Sequence, residues 1–174
     1  MVPRHAFVAW LRFARRRALR GRSRVPPSTA QPLAMIVRRA HVPVHTQESP
    51  GWGRVDTLRL GDAGALTQFG ASLQVLAPGA KSSVRHWHEH VDEFLFVVSG
   101  EVTVTEDDGV HTLHAGDAAC WPAGVRNGHT VSNRSAAPCT VLMVGTRGPD
   151  GAAHYVDDAD AAARTAQPGS ASAA

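Results

Sequence analysis

The stretch RHWHEHVDEFLFVVSGE, residues 85–101, places three histidines and three acids within nine positions, directly before an apolar run. A short run rich in Phe, Leu and Val predicts a buried β-strand. Ionisable side chains at the start of such a strand have two explanations, an exposed polar loop that is rich in histidine or a metal site. The choice between them decides what the sequence predicts about function.

The composition is that of a globular domain with tails. The chain has 174 residues, of which 43% are hydrophobic, and a mean hydropathy of -0.17. No apolar run approaches the ~20 residues that a membrane-spanning helix needs, so we predict no membrane span and a cytoplasmic location. Cys120 and Cys139 lie in apolar surroundings, and we expect both to be reduced thiols in the core.

The positive charge is confined to one end of the chain. Residues 1–40 contain ten arginines and no acid, whereas residues 41–174 contain eight Lys and Arg against fifteen Asp and Glu. The net charge of +3 and the pI of about 9.5 therefore reflect the N-terminal segment. We predict no nucleic-acid binding by the folded domain.

Four parts follow from these shifts in composition. They are a basic extension at 1–34, a strand and loop arm at 35–64, a barrel domain at 65–147 and a C-terminal tail at 148–174. We expect the extension to be disordered; its composition fits an organellar transit peptide, a short amphipathic helix at a membrane surface, or sequence upstream of a true start at Met35. The tail should also be disordered, although residues 157–166 could form a helix.

Between the tails the sequence predicts strands. Short runs rich in Val, Leu, Phe and Thr recur at about 8–12-residue spacing, and Gly, Pro, Asp and Asn separate them. The predicted strands are 54–60, 67–77, 83–88, 92–98, 101–106, 110–114, 118–121, 128–133 and 138–146. This pattern predicts an all-β fold, an antiparallel sandwich or barrel.

The histidines favour a metal site over a polar loop. Side chains alternate faces along a strand, so His86 and His88 point the same way and can bind one ion. Glu93 follows directly before the next strand, and His129 opens the short strand HTVSN. A His-x-His pair alone is weak evidence, but the carboxylate and the distant histidine strengthen it. Three neutral imidazoles and one carboxylate suit divalent Fe, Mn, Ni, Zn or Cu, with room for water, substrate or dioxygen.

Two segments resemble the paired motifs of the cupin superfamily. Residues 79–100, GAKSSVRHWHEHVDEFLFVVSG, resemble the first motif, with His-x-His, four residues, Glu, six residues and Gly. Residues 116–133, GDAACWPAGVRNGHTVSN, resemble the second, with Gly, five residues, Pro-x-Gly, and then His and Asn. The gaps before His86 and His129 are longer than usual, and the flanking segments look like an uncharacterised bacterial subgroup.

The resemblance implies a jelly-roll barrel, or double-stranded β-helix, with a metal inside. The implied ligands are His86, His88, Glu93 and His129. The motif spacing disfavours His90 and Asp92 as alternative ligands. The implied structural residues are Gly79, Gly100, Gly116, Pro122, Gly124 and Asn133, with the glycines in turns and Asn133 as a hydrogen-bonding residue.

The residues that line the pocket are predicted from the alternation of side chains between the two faces of each strand. Leu95 and Val97 share the face of Glu93, Val131 shares that of His129, and Trp121 precedes the proline turn. These residues predict an apolar pocket for one small organic molecule, although plain core packing would explain them too.

Two functions fit this site. The first is a metal-dependent oxygenase, lyase, isomerase or decarboxylase that acts on a small organic molecule, with His90 or Glu89 as weak candidates for a general base. The second is a non-catalytic small-ligand sensor or binding protein. We also expect a homodimer, because the segment at about 36–60 reads as strand and loop without a core of its own.

Overall fold

The computed structural model describes residues 36–148 and 153–157, and this part of the chain is almost entirely β-structure. Its strands in chain order are β1 (Val44–Ser49), β2 (Gly53–Leu58), β3 (Phe69–Leu76), β4 (His86–His88), β5 (Glu93–Ser99), β6 (Glu101–Glu106), β7 (Gly109–His114), β8 (Ala118–Trp121), β9 (Thr130–Ser132), β10 (Cys139–Thr146) and β11 (Ala153–Tyr155). One helical turn, α1 (Leu60–Ala63), follows β2, and a short 3-10 turn spans Arg39–His41. Within these described residues, no helix is long and apolar enough to cross a membrane.

The strands form antiparallel sheets that close into a jelly-roll barrel, which confirms the predicted fold class. The large sheet has the order β1-β2-β3-β10-β5-β8, and a second sheet has the order β7-β6-β9. Strand β4 lies between them, pairs with β11, and touches the start of β9 through a bridge between His86 and His129.

The nine predicted strands correspond to β2–β10, whereas β1 and β11 were not predicted. Strand β1 is exposed along nearly its whole length and pairs only with β2, so it lacks the apolar alternation that marks a half-buried strand. Strand β11 has three residues, too few for any periodicity. The basic extension at 1–34 and nearly all of the predicted helix at 157–166 lie outside the described residues.

The core fills the barrel interior from both sheets. Along β5, Leu95 and Val97 are fully buried, while Phe94 and Val98 on either side of them face outward. Val131, Trp121 and Cys139 join the same buried cluster. The expectation of two core thiols is correct for Cys139 and wrong for Cys120, which is exposed on β8 because it pairs with the outward-facing Phe94.

The turn between β5 and β6 requires glycine. Gly100 has a φ of 78°, a left-handed conformation that other residues rarely adopt. A Cβ at this position would also lie 2.9 Å from the Cβ of Cys139. The motif residues Gly79, Gly116 and Gly124 share a positive φ.

Asn133 joins three backbone segments at the closed end of the barrel. Its amide nitrogen donates to the carbonyl oxygens of Leu76 (2.9 Å) and Ala137 (2.8 Å). Its amide oxygen accepts from both the backbone nitrogen and the hydroxyl of Ser135. The side chain of Asn133 and its partner Leu76 are fully buried, so the carbonyl group of Leu76 has no access to water as a substitute.

We expect Asn133→Ala to lower the free energy of unfolding by about 1–3 kcal/mol, because it removes the side-chain donor to the buried carbonyl group of Leu76. The measurement is denaturant unfolding of the full chain. Asn127→Ala is the control, because the Asn127 side chain accepts one bond, from the backbone of Asp107 at a more exposed position. Equal losses in the two variants would contradict the structural role of Asn133.

Candidate functional site

The candidate site lies inside the barrel where β4, β5 and the start of β9 meet. His86 and His88 are buried on one face of β4, while Trp87 between them points outward. Glu93 is the first residue of β5 and is also buried. Reciprocal backbone hydrogen bonds of 3.0 and 2.9 Å between His86 and His129 bring the fourth side chain beside the first.

One carboxylate oxygen lies within reach of all three imidazoles. The Oε2 atom of Glu93 is 2.9 Å from Nε2 of His129, 3.5 Å from Nε2 of His88 and 3.9 Å from Nε2 of His86. Ligand atoms of His86, His88 and Glu93 all lie within 4.8 Å of one another. Two ligands bonded to one cation at about 2.1 Å are separated by roughly 3–4 Å. The spacing of these three donors therefore fits a divalent transition metal, and His129 lies outside this group of mutually close ligand atoms, 2.9 Å from Glu93.

His86 presents Nε2 to this cluster in a defined tautomer. Its Nδ1 lies 2.8 Å from the carbonyl oxygen of Val84 and must donate to it, because a carbonyl only accepts. The pKa of His86 is lowered from 6.5 to about 4, chiefly by burial and also by the charges of His129 and His88, against the opposing effects of Glu93 and of the hydrogen bond to Val84. The imidazole is therefore neutral at neutral pH, with the lone pair of Nε2 directed at the cluster, as metal binding requires.

Glu93 is ionised within this buried cluster. Burial by itself raises the pKa of the carboxyl group, but the hydrogen bond from His129 and the charges of His88 and His86 outweigh it. The net effect is a pKa below the ordinary value of 4.5. A buried carboxylate surrounded by imidazole nitrogens is an environment that favours a cation.

Trp121 holds the ring of His129 in place. The two rings stack with centroids 3.9 Å apart and an interplanar angle of 10°. The indole nitrogen donates a hydrogen bond to the carboxylate of Glu106, which fixes the orientation of the indole. Trp121 was predicted as a pocket wall, and the structure places it behind His129, in the core.

The weaker candidates lie around the rim or on the surface. Glu89 and His90 are exposed in the loop that follows β4, and Asp92 accepts a hydrogen bond from the backbone of Ala123. His111 and His114 are exposed on β7, as expected. The prediction that His154 lies past the barrel is wrong. It is in β11, stacks on Trp87 with centroids 4.1 Å apart, and contacts Glu89.

A cleft of about 40 Å³ opens onto Glu93 from the side of β1, β2 and β3. Its lining residues are His45, Gln47, Val55, Thr57, Arg59, Ser72, Gln74, Ser82, Glu93, Met143, Val144 and Gly145. The predicted wall residues Leu95, Val97 and Val131 are packed in the core instead of lining this cleft. Most of the lining residues are polar or charged, although most of the surface that they present to the cleft is apolar, as the alternation of side chains predicted. One signal was present in the sequence, because Gln74 interrupts the apolar run of a predicted strand.

Comparisons with known proteins agree with this architecture. A family model described as a cupin domain matches residues 72–145. A sugar phosphate isomerase of the cupin superfamily from Silicibacter pomeroyi is 41% identical, with 71% of this chain and 83% of that chain covered and a TM-score of 0.65. The polyketide cyclase RemF from Streptomyces resistomycificus is 19% identical, with 78% and 95% covered and a TM-score of 0.61, and therefore shows the fold alone. A comparison with curated proteins gives no match.

We expect the metal-free protein to lose stability as the pH falls from about 6.5 toward 4. In this range the unfolded chain protonates His86 at its ordinary pKa of 6.5, whereas the folded protein protonates it only at about 4. The unfolded state therefore binds more protons, and unfolding becomes more favourable as the pH falls, by up to about 3 kcal/mol.

The measurement is denaturant unfolding in the presence of a chelator at several pH values. His86→Gln should flatten the pH dependence, whereas His114→Gln should leave it unchanged because the side chain of His114 is 67% exposed. If the wild-type protein and His86→Gln showed the same pH dependence, the assignment of this titration to His86 would be wrong.

Proposed function

This chain belongs to the cupin superfamily, and we propose that it binds a divalent transition metal through His86, His88, Glu93 and His129. The observation that carries the proposal is the approach of three imidazole Nε2 atoms to one oxygen of Glu93, at 2.9–3.9 Å. All four side chains are at least 95% buried. An exposed histidine-rich loop would not bury four polar side chains around a common point.

The identity of the metal follows only in part from the donor set. Imidazole nitrogens suit Fe, Ni, Cu and Zn, and the carboxylate extends the choice to Mn. When bound, the metal supplies a Lewis acid that polarises an oxygen of the substrate. The chain supplies the geometry around it.

The residues behind the proposed ligands orient them and exclude water. The carbonyl of Val84 fixes the tautomer of His86, and the stack with Trp121 fixes the ring plane of His129. Val91, Leu95 and Val131 are buried close to the ligands in the chain. A preorganised ligand set in a dry environment strengthens the electrostatic interaction with a bound cation and its substrate.

Among the reaction classes that the sequence left open, we favour an isomerase that acts on a small hydroxylated molecule. The support is the sugar phosphate isomerase of the cupin superfamily that is 41% identical to this chain. Proteins that share only the fold with this chain carry other activities. The choice of an isomerase therefore rests on the similarity to the sugar phosphate isomerase, together with the cleft beside Glu93 and its polar lining residues. Turnover of a substrate separates this proposal from a sensor, which would capture its ligand without forming product.

We also propose that the protein is a homodimer located in the cytoplasm. The outer face of the large sheet exposes Phe94 (37%), Val98 (47%) and Phe69 (39%). Apolar side chains grouped on one sheet face are typical of a protein–protein interface. Light scattering should give the mass of two chains, and Phe94→Lys should shift it toward one; a monomeric wild-type protein would contradict the dimer.

We expect His88→Ala to reduce the metal content of purified protein at least tenfold, because it removes one of the four proposed ligands. Elemental analysis of protein prepared without an affinity tag measures the loss. The matched control is His114→Ala, since His114 is exposed on β7 far from the buried cluster. If His88→Ala retained both metal and activity, the proposed site would be wrong.

A further inference from the structure

The cleft beside Glu93 contains two polar groups that the proposed metal site does not use. The Nε atom of Arg59 and the amide oxygen of Gln74 are both buried, and neither has a hydrogen-bond partner among the described residues. Buried polar groups in folded proteins are nearly always paired, so two such groups in one cleft call for a functional explanation.

Arg59 is half-buried, unlike Arg38, Arg39, Arg126 and Arg134, which also have no ion pair within the described residues but are exposed. Arg54 pairs with Asp56, Arg85 with two aspartates, and Arg147 with Asp62. No ion pair of Arg59 occurs within residues 36–148 and 153–157. Glu93 is the only acid that lines the cleft with it, and the proposed metal would neutralise that charge. Arg59 is therefore a cation without a protein counter-ion in a pocket that opens to small molecules.

The sheet register places these groups across the cleft from Glu93. Thr57 on β2 pairs with Gln74 on β3, which pairs in turn with Val141 on β10. Gly145, further along β10, pairs with Glu93 on β5. Arg59 follows the end of β2, so three strand spacings of about 4.8 Å separate its backbone from β5, roughly 14 Å along the sheet. The side chain of Arg59 extends into this gap, and the distance that remains is about the length of a small molecule.

The chemistry of the cleft indicates the class of ligand. The planar guanidinium group is matched to the oxygens of a carboxylate or phosphate. Gln74, Thr57 and Ser72 can exchange hydrogen bonds with hydroxyl or carbonyl oxygens along the cleft. The ligand that satisfies these groups carries an oxyanion for Arg59 at one end and a hydroxyl group that donates to the amide oxygen of Gln74.

We propose that Arg59 holds the oxyanion of a small hydroxylated substrate and that the amide oxygen of Gln74 accepts a hydrogen bond from one of its hydroxyl groups, so that the other end of the substrate meets the proposed metal beside Glu93. This inference rests on the proposed function, because it identifies the substrate class of the same site. Arg59 is a binding residue that sets specificity, and it acts at the end of the cleft opposite the reacting atoms.

The test compares three probes with one carbon skeleton, which are ribose 5-phosphate, ribonate and ribose. Calorimetry on the full chain should show at least tenfold tighter binding of one or both charged probes than of ribose. Comparison of ribose 5-phosphate with ribonate then distinguishes a phosphate from a carboxylate as the preferred group. Arg59→Gln should abolish this preference. Arg54→Gln is the matched control, because it makes the same change on the same strand at an exposed residue that is paired with Asp56.

The outcomes separate this inference from the proposed function. Metal analysis of Arg59→Gln should give the wild-type content, and the preference for charged probes should persist after chelation. Wild-type protein that binds metal but does not prefer a charged probe overturns the inference alone. Wild-type protein that prefers a charged probe but binds no metal contradicts the metal site and leaves the oxyanion site in place.

A second readout excludes a purely structural role. Removing a buried polar group that has no protein partner should not destabilise the ligand-free protein. We therefore expect the Tm of Gln74→Leu and of Arg59→Met, which retains an apolar stem, to equal or exceed that of the wild type. A clear fall in Tm in both variants would mean that these groups stabilise the fold, and it would overturn the inference.

Discussion

The buried carboxylate of Glu93 is the group on which the interior of this barrel depends. Three imidazoles approach one of its oxygens, and two of them come from a strand that precedes it while the third comes from a segment 36 residues later. An ionised carboxylate in a protein interior is costly unless it is paired and hydrogen-bonded. The polar cluster therefore limits the stability of the metal-free fold. A bound cation would compensate the buried negative charge, and its binding free energy would stabilise the folded protein.

The strand arrangement explains how this cluster can exist within an apolar core. Strand β4 belongs to neither of the two larger sheets, and it is held by β11 on one side and by the bridge to His129 on the other. Leu95 and Val97 continue the face of Glu93 along β5 into the core. The polar cluster is thus confined to one end of the barrel, and the remainder of the interior packs as an ordinary β-protein core.

Strand parity and motif spacing were sufficient to predict the fold class and to bring the four candidate ligands to one place. His86 and His88 share a face because of a two-residue period, and the choice of Glu93 over Asp92 agrees with the burial of one and the exposure of the other. The sequence did not predict the cleft, because its lining comes from β1, β2, β3 and β10, whose alignment depends on long-range pairing. Arg59 lies just past a strand end, where parity no longer indicates direction.

The pairing of β4 with β11 has a consequence for biosynthesis. The nascent chain emerges from the ribosome with all of the proposed ligand residues ahead of the strand that clamps β4, since β11 is the last described element. Until that strand has been made, the backbone of β4 is held by the bridge between His86 and His129 and by the hydrogen bond from Gly124 to His88. The cavity is therefore completed only after β11 has joined β4, and acquisition of an ion is expected to follow that step.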